Sequence, residues 1–204
     1  MAKLIALPQR DSLEALLRAV RDGERDAGGR VYDRFADSVN GHVHRLLGPD
    51  RDHDDIVQNI FVLILRRMHT VREANALPAW IRRVTVCEVR DHLRRRGSWR
   101  RVFSAKASDV VEHTESSYGD PARSELIARV GRILSSMNAD DRICFVLRHV
   151  EGHQVAEIAE LLGSSPSTVK RRIKRASERF FARAERDPFL REFGPNPQAL
   201  EEHP

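Results

Sequence analysis

The chain has 204 residues, 32% of them charged, with a formal net charge of +5 and a sequence pI near 9.7. It contains no run of 18 apolar residues, so no membrane-spanning helix is predicted, and two cysteines are too few for a disulfide framework. Both cysteines, Cys87 and Cys144, lie inside helical patterns, so we expect a reducing, cytoplasmic environment. The excess of basic over acidic residues favours a polyanionic partner.

Two helices are predicted before residue 50. The first opens at Asp11-Ser-Leu-Glu, which can form a capping box, and its apolar face begins with Leu13. A glycine-containing stretch over 22–29 then breaks the pattern. The second helix carries Val31, Phe35, Val39 and Val43 on one face and ends at Leu47-Gly48-Pro49.

A third helix is predicted from about Asp54 to Met68. It carries two neighbouring apolar stripes, which indicate a wide buried face and a central position in its domain. The stripes are Ile56, Ile60 and Ile64, and beside them Val57, Phe61 and Leu65. The helix starts with an acid-amide cluster of Asp54, Asp55, Gln58 and Asn59. Acids at a helix N-terminus complement the helix dipole, so a purely structural role is the alternative to a functional one.

The fourth predicted helix begins after Pro78 and ends in the arginine run 94–97. Residues 90–106 are strongly basic and contain a single acid, Asp91. Trp80 lies near the start of the same helix. Because arginines bind phosphates and exposed aromatic rings stack on unpaired bases, this helix predicts a nucleic-acid site. The alternatives are that Trp80 is a core residue and that the arginine run is a solvated helix end.

Composition changes after this helix. Residues 107–122 are acidic and rich in serine, with no Lys or Arg, and are predicted to be a linker. Helices resume near Arg123, and Asn138 is predicted to cap a further helix that Gly152 closes. The proline-containing tail from Asp187 is expected to be loosely ordered. With no strand pattern longer than a few residues, the predicted architecture is all-α: a four-helix front domain, an acidic tether and a C-terminal domain.

Residues 155–179 contain the most informative pattern of the chain. Two short helices are predicted here, the first with an apolar face of Val155, Ile158, Ala159 and Leu162, the second with one of Val169, Ile173, Ala176 and Phe180. Gly163 suits the end of the first helix, Ser165 can cap the second, and Pro166 fits its first turn. The other faces of the second helix are basic, with Lys170, Arg171, Arg172, Lys174 and Arg175. The pair predicts a helix-turn-helix that inserts its second helix into a DNA major groove, and a basic solvated helix is the alternative.

Enzyme and metal sites are not expected. The chain has no glycine-rich phosphate loop and no nucleophile elbow. Two sets of candidate ligands, His42, His44 and His53, and Cys144, His149 and His153, lack the spacing of a structural zinc site. We therefore predict no catalytic residue, no metal and no cofactor.

Three segments together resemble the extracytoplasmic-function (ECF) sigma factors of bacterial RNA polymerase. Residues 54–67 resemble the polymerase-binding helix of sigma factors, and 77–84 with 91–96 look like the promoter-melting helix of the ECF group. Residues 147–152, 157–163 and 168–176 are similar to its C-terminal helix-turn-helix. The resemblance spans roughly residues 11 to 185, with the motifs in the family's order.

The resemblance implies roles for three sets of residues. Core-polymerase binding falls on Asp54, Asp55, Gln58 and Asn59. Opening and reading of the −10 promoter element falls on Trp80, Arg83, Cys87, Arg90, Arg94, Arg95 and Arg96. Reading of the −35 element falls on Ser167, Thr168, Lys170, Arg171, Lys174 and Arg175. The acidic tether matches the linker that the family threads toward the polymerase active centre.

The chain departs from the family pattern at two places. Cys87 stands where the family often has Asn, on the segment that takes up an extruded base, and a thiol is a poor hydrogen-bonding group. The stretch Ser164-Ser-Pro-Ser replaces the commoner Gly before Thr168-Val-Lys, which can shift the start of the recognition helix.

The sequence therefore predicts an ECF-type sigma factor made of two small helical domains joined by a flexible acidic linker. The predicted boundaries are 1–105 for a region 2-like domain, 106–122 for the linker, 123–186 for a region 4-like domain and 187–204 for the tail. Expected partners are core RNA polymerase, promoter DNA and an anti-sigma factor. The alternatives are a stand-alone helix-turn-helix regulator with an N-terminal effector domain, and a polymerase-binding adaptor or anti-sigma protein that docks through the front domain.

Overall fold

A computed structural model describes residues 12–103 and 121–193. Every regular element within these ranges is a helix, which confirms the predicted all-α class. The first range forms one unit of four α-helices: α1 (Leu13–Arg21), α2 (Ala27–Leu47), α3 (His53–Arg67) and α4 (Leu77–Phe103). Two short 3-10 helices, Met68–Thr70 and Ala74–Ala76, connect α3 to α4.

The helix ends of the first unit follow local sequence signals. Ser12 caps α1 by accepting a hydrogen bond from the Ala15 amide at 3.1 Å, and Gly48 ends α2 with a φ of 66°. Two boundaries differ from the prediction. Helix α2 begins at Ala27, so part of the predicted break forms its first turn, and α4 continues through Gly97 to Phe103. Each glycine costs a helix only about 1 kcal/mol, which the neighbouring helical residues can offset.

The core of the first unit lies between α2, α3 and α4. Side chains from all three helices are fully buried there, among them Val31, Val39, Val43, Ile60, Ile64, Leu77, Val86 and Val89. Helix α3 packs against α2 and α4, whereas α2 packs against α1, α3, α4 and α6 and is the more central helix, and the buried face of α3 is narrower than expected. Leu65, which the sequence placed in the core, is 39% exposed together with Val62. The second apolar stripe of α3 therefore reaches the surface at its C-terminal end.

The second range forms a unit of five α-helices: α5 (Pro121–Ser135), α6 (Ala139–His149), α7 (Val155–Leu162), α8 (Pro166–Ala184) and α9 (Pro188–Phe193). Asn138 caps α6 as predicted, and its side-chain oxygen accepts from the Asp141 amide at 2.9 Å. Gly163 ends α7 in the left-handed region with a φ of 59°, and Ser165 caps α8. The residues predicted to end α7 and to begin α8 therefore do so in the structure.

The start of the predicted tail is ordered. Residues 188–193 form α9, which packs on α5, so the expectation of a loosely ordered tail is wrong for this segment. Arg129 of α5 binds the Asp187 carboxylate at 2.6 Å, and its guanidinium lies 4.9 Å from the centroid of the Phe189 ring. Leu190 is 4% exposed. Pro188 is therefore the first residue of a docked helix; residues 194–204 lie outside the described ranges.

The predicted linker, 106–122, lies outside the described residues except for its last two, which belong to the first turn of α5. The two units nevertheless touch. Helix α4 packs against α6 and α7, and α2 packs against α6, so the buried apolar residues of both units form one continuous cluster. None of the described helices combines the length and apolar composition needed to cross a membrane.

Candidate nucleic-acid interface

The second helix of the helix-turn-helix presents an exposed basic face. Val169, Ala176 and Phe180 of α8 are buried, and the Phe180 ring stacks on Phe145 of α6 with centroids 4.7 Å apart. This packing turns the opposite face of α8 to solvent. The residues predicted to read DNA lie on or beside that face: Ser167, Lys170, Arg171, Lys174 and Arg175 are exposed, and Thr168 is half-buried. A helix held in this way can enter a major groove with its N-terminal half.

Two arginines of α8 are engaged by acids of α6. Asp141 is buried, and the Arg175 guanidinium binds it through two hydrogen bonds of 2.7 and 2.5 Å. Arg172 donates to Asp140 at 2.9 Å. The hydrogen bond and charge of Asp141 raise the pKa of Arg175. Arg175 therefore helps to hold α8 on α6, a contact that sequence reasoning missed because the two acids resemble ordinary first-turn residues of α6.

Helix α4 carries a second basic face. Residues 80, 83, 87, 90 and 94 recur at spacings of three and four, so they share one side of the helix. We call this side the α4 stripe; it consists of Trp80, Arg83, Cys87, Arg90 and Arg94. Arg83 and Arg94 are exposed, whereas the other three are half-buried, and Trp80 packs against the edge of the core. The structure thus brings together five of the seven residues predicted for −10 DNA.

The remaining two predicted residues lie beside the α4 stripe and pair within the first unit. Arg95 is 3.3 Å from a Glu88 carboxylate oxygen, and Arg96 forms an ion pair with Asp50 in the loop after α2. Arg94 differs, because its partner Asp140 belongs to the second unit, with hydrogen bonds of 2.8 and 2.9 Å. That hydrogen bond raises the pKa of Arg94.

The predicted polymerase-binding residues lie on one exposed side of α3. Asp54, Asp55, Gln58 and Asn59 are all exposed. Apolar side chains extend this surface: Val62 and Leu65 follow along α3, and Tyr32 of α2, 49% exposed, contacts the Phe61 ring at 4.8 Å. A mixed polar and apolar surface of this kind suits a protein partner. Sequence reasoning missed its apolar part because it assigned Leu65 to the core.

One group in the described part of the chain has metal-ligand geometry. Ligand atoms of Asp50, Asp52 and His92 lie within 4.8 Å of one another. Both Asp50 oxygens are already engaged, one by the Asp52 amide at 3.0 Å and the other by Arg96. Arg96 already balances the charge of Asp50, so we interpret the group as an ion-pair cluster that fixes the loop between α2 and α3 to α4.

Comparisons with known proteins match both units. The sigma-70 region 2 family matches residues 31–98, and the sigma-70 region 4 family matches residues 127–180. Together these matches cover more than half of the chain. The first covers most of α2, all of α3 and α4 as far as residue 98, and the second covers most of α5 through most of α8.

Individual relatives agree with these matches. The ECF RNA polymerase sigma factor SigK of Mycobacterium ulcerans is 31% identical over 174 residues, 81% of this chain and 90% of that protein. The ECF RNA polymerase sigma factor BldN of Streptomyces coelicolor is 26% identical over 156 residues; the match covers 76% of this chain but only 59% of BldN. The sigma factor RpoE of Bartonella quintana, solved with the anti-sigma factor NepR, shares the fold, with a TM-score of 0.52, 19% identity and coverage of 82% and 91% of the two chains. The chain therefore belongs to the ECF sigma factors of bacterial RNA polymerase.

Proposed function

We propose that this sigma factor uses three separate surfaces: the exposed side of α3 for core RNA polymerase, the α4 stripe for the −10 element and the basic face of α8 for the −35 element. The observation that carries the proposal is the presence of two basic helix faces on two units of one chain, with a third, acidic and apolar, surface on α3. A stand-alone regulator with one DNA-binding helix has no need of the second basic face.

The chemistry of each surface suits its proposed partner. On α8, Lys170 and Arg171 lie in the N-terminal half, where groove docking brings side chains to base edges, and Lys174 lies where a cation meets phosphate. On α4, Trp80 and the arginines provide stacking and phosphate contacts for an unpaired strand. Cys87 contributes a thiol in place of an amide, so we expect a −10 base preference that differs from that of relatives with Asn there.

The proposal assigns no chemical step to the chain itself. Asp140 and Asp141, the acids of α6 beside the basic face of α8, are engaged in ion pairs with arginines. Bond formation would belong to the polymerase. We place the protein in the cytoplasm, where the polymerase and its promoters are. We also propose an anti-sigma factor as a partner, on the strength of the similar fold solved with one.

The polymerase surface is tested by the charge reversal Asp55→Lys with Glu14→Lys as its matched control. Each acid is exposed and lies in the first turn of its helix, so each reversal removes a similar dipole contribution of roughly 0.3–1 kcal/mol. We expect Asp55→Lys alone to lose association with purified core polymerase on native gels and promoter-specific transcription. Equal binding by both folded variants would reject α3 as the polymerase surface. Promoter recognition without core polymerase would favour the stand-alone regulator.

A further inference from the structure

The N-terminal part of α5 has little buried surface of its own. From 121 to 132, a range that the structure describes in full, no residue is buried, and the first buried side chains of the helix are Ile133 and Leu134 near its end. Leu126 and Val130 are only partly covered. Because helices in proteins gain most of their stability from packing of a buried face, the first three turns of α5 need support from a neighbouring element.

Helix α9 supplies this support. It packs on α5, and its Leu190 is 4% exposed. Arg129 of α5 donates to the Asp187 carboxylate at 2.6 Å, and its guanidinium lies over the Phe189 ring. An apolar side chain, an ion pair and a cation–π contact therefore join α9 to the part of α5 that has no buried side chain of its own.

Asp187 connects the two helices through a single oxygen atom. Its Oδ1 accepts the hydrogen bond from Arg129 and also accepts from the amides of Phe189 and Leu190, at 3.0 and 3.3 Å. The carboxylate thus caps the first turn of α9 while it pairs with α5. Helix α9 has only six residues, so it also depends on packing for its stability. The order of each helix therefore depends on the other.

The start of α5 determines the length of the segment that connects the two units. The 17 residues between Phe103 and Pro121 can span up to about 60 Å when extended. If the first 12 residues of α5 lost their helical structure, the connection would have 29 residues and could span up to about 100 Å. The length of a connection between two binding faces determines which separations of their two sites both faces can occupy. The order of α5 therefore affects the separation of promoter elements that the chain can bridge.

We propose that α9 is a strap that limits the spacing between the −10 and −35 elements: Asp187, Phe189 and Leu190 hold residues 121–132 of α5 helical and so keep the connection between the units short. The proposal rests on the proposed function of α4 and α8. These three residues are positioning residues, because they act through α5. The sigma-70 region 4 match ends at residue 180, so the strap lies beyond the part of the unit that the family covers.

The first test measures the order of α5 without polymerase, by hydrogen–deuterium exchange and mass spectrometry on the full chain. Leu190→Ala removes the buried side chain of α9. We expect the amides of residues 124–132 to exchange roughly 10-fold or more faster than in wild type, whereas the amides of α6 keep their wild-type rates. Asp187→Ala removes the cap and the ion pair together, should have the same effect, and keeps the test decisive if Leu190→Ala fails to fold.

Glu192→Gln is the matched control for Asp187→Ala. Glu192 is an exposed acid of α9 that has no ion pair among the described residues, so its replacement should leave the exchange of α5 unchanged. Wild-type exchange in the folded Leu190→Ala and Asp187→Ala proteins would overturn the proposal. Equal acceleration in α5 and α6 would also overturn it, because α9 would then stabilise the unit as a whole.

A second substitution in α5 should reverse the effect without contact with α9. Gly131 lies inside α5, and a methyl group added there meets only Pro49, at 3.9 Å, an ordinary contact distance. Alanine favours the helix over glycine by roughly 5-fold in the equilibrium constant. In the Leu190→Ala background, Gly131→Ala should therefore slow the exchange of α5 by roughly 5-fold. No slowing would contradict the view that loss of helix in α5 causes the accelerated exchange.

The second test asks whether the strap affects promoter spacing. Transcription with purified core polymerase is measured on promoters that differ only in the spacer between the two elements, changed one base pair at a time, or about 3.4 Å per step. We expect Leu190→Ala to raise transcription from promoters with longer spacers several-fold relative to the optimal one, and Gly131→Ala to restore the wild-type preference. Glu192→Gln should behave as wild type.

An equal loss of Leu190→Ala activity at every spacer length would refute the spacing role, since a merely structural defect lowers all promoters alike. An unchanged spacer preference in a variant with accelerated α5 exchange would refute it as well. Absence of promoter-specific transcription by the wild-type protein would refute the proposed function itself, and with it the spacing role. The exchange test contains no polymerase, so it distinguishes that failure from a failure of the strap.

Discussion

The bidentate pair between Arg175 and Asp141 makes an unusual prediction for a residue of a DNA-reading helix: Arg175→Ala should destabilise the fold. The Asp141 side chain is 4% exposed and would lose both hydrogen bonds from the guanidinium. Removing one partner of a fully buried pair costs about 3–5 kcal/mol. The Arg175 side chain is 56% exposed, and Asp141 keeps the Asn138 amide at 2.6 Å, so we expect about 1–3 kcal/mol.

Denaturant unfolding followed by circular dichroism measures this loss, and Arg171→Ala is its control. Arg171 is an exposed arginine of the same helix with no ion pair among the described residues, so its replacement should change the free energy of unfolding by less than about 0.5 kcal/mol. In an Asp141→Asn background, Arg175→Ala should cost less than in wild type, because the ion pair is already lost. Equal stability of Arg175→Ala and Arg171→Ala would refute the structural role of the pair.

Three further predictions concern DNA reading, melting and the buried thiol. Arg171→Ala should reduce the binding free energy at the preferred −35 sequence by roughly 1–3 kcal/mol and relax selectivity at one position, whereas Lys174→Ala should weaken binding to all sequences alike and reduce the salt slope of binding by about one unit. A library of upstream elements assayed for transcription checks both variants. An unchanged sequence preference in Arg171→Ala would contradict the proposed register of α8 in the groove. Trp80 is half-buried, so Trp80→Ala should lose about 1–3 kcal/mol of stability in addition to promoter opening, and permanganate footprinting with thermal unfolding separates the two effects. Burial raises the pKa of the Cys144 thiol from 9.0 to about 11. This thiol leaves the free energy of unfolding unchanged below pH 9 and lowers it as the pH rises toward 11, because the unfolded chain releases this proton first. The loss should reach about 3 kcal/mol and be absent in Cys144→Ala; an equal slope in both proteins would contradict it.

Local signals in the sequence were sufficient for the helix-turn-helix. Gly163, Ser165 and Pro166 act within one turn of their own positions, so their effects on α7 and α8 do not depend on the rest of the fold. The α4 stripe is local in the same sense, because the spacing of residues 80 to 94 determines that they share one side of a helix. The all-α class and the two basic faces were therefore predictable.

The tertiary structure determines which of these side chains are exposed and which are engaged by residues of distant helices. Arg94 and Asp140 are 46 residues apart in the chain, and His42 and Glu151 are 109 apart, yet each pair is in contact. No periodicity relates such positions, since they meet only when α4 and α2 pack against α6. The exposure of Leu65 and the docking of α9 on α5 likewise depend on which neighbours cover a face. Helical spacing shows which residues share a face, but only packing between distant elements determines what that face contacts.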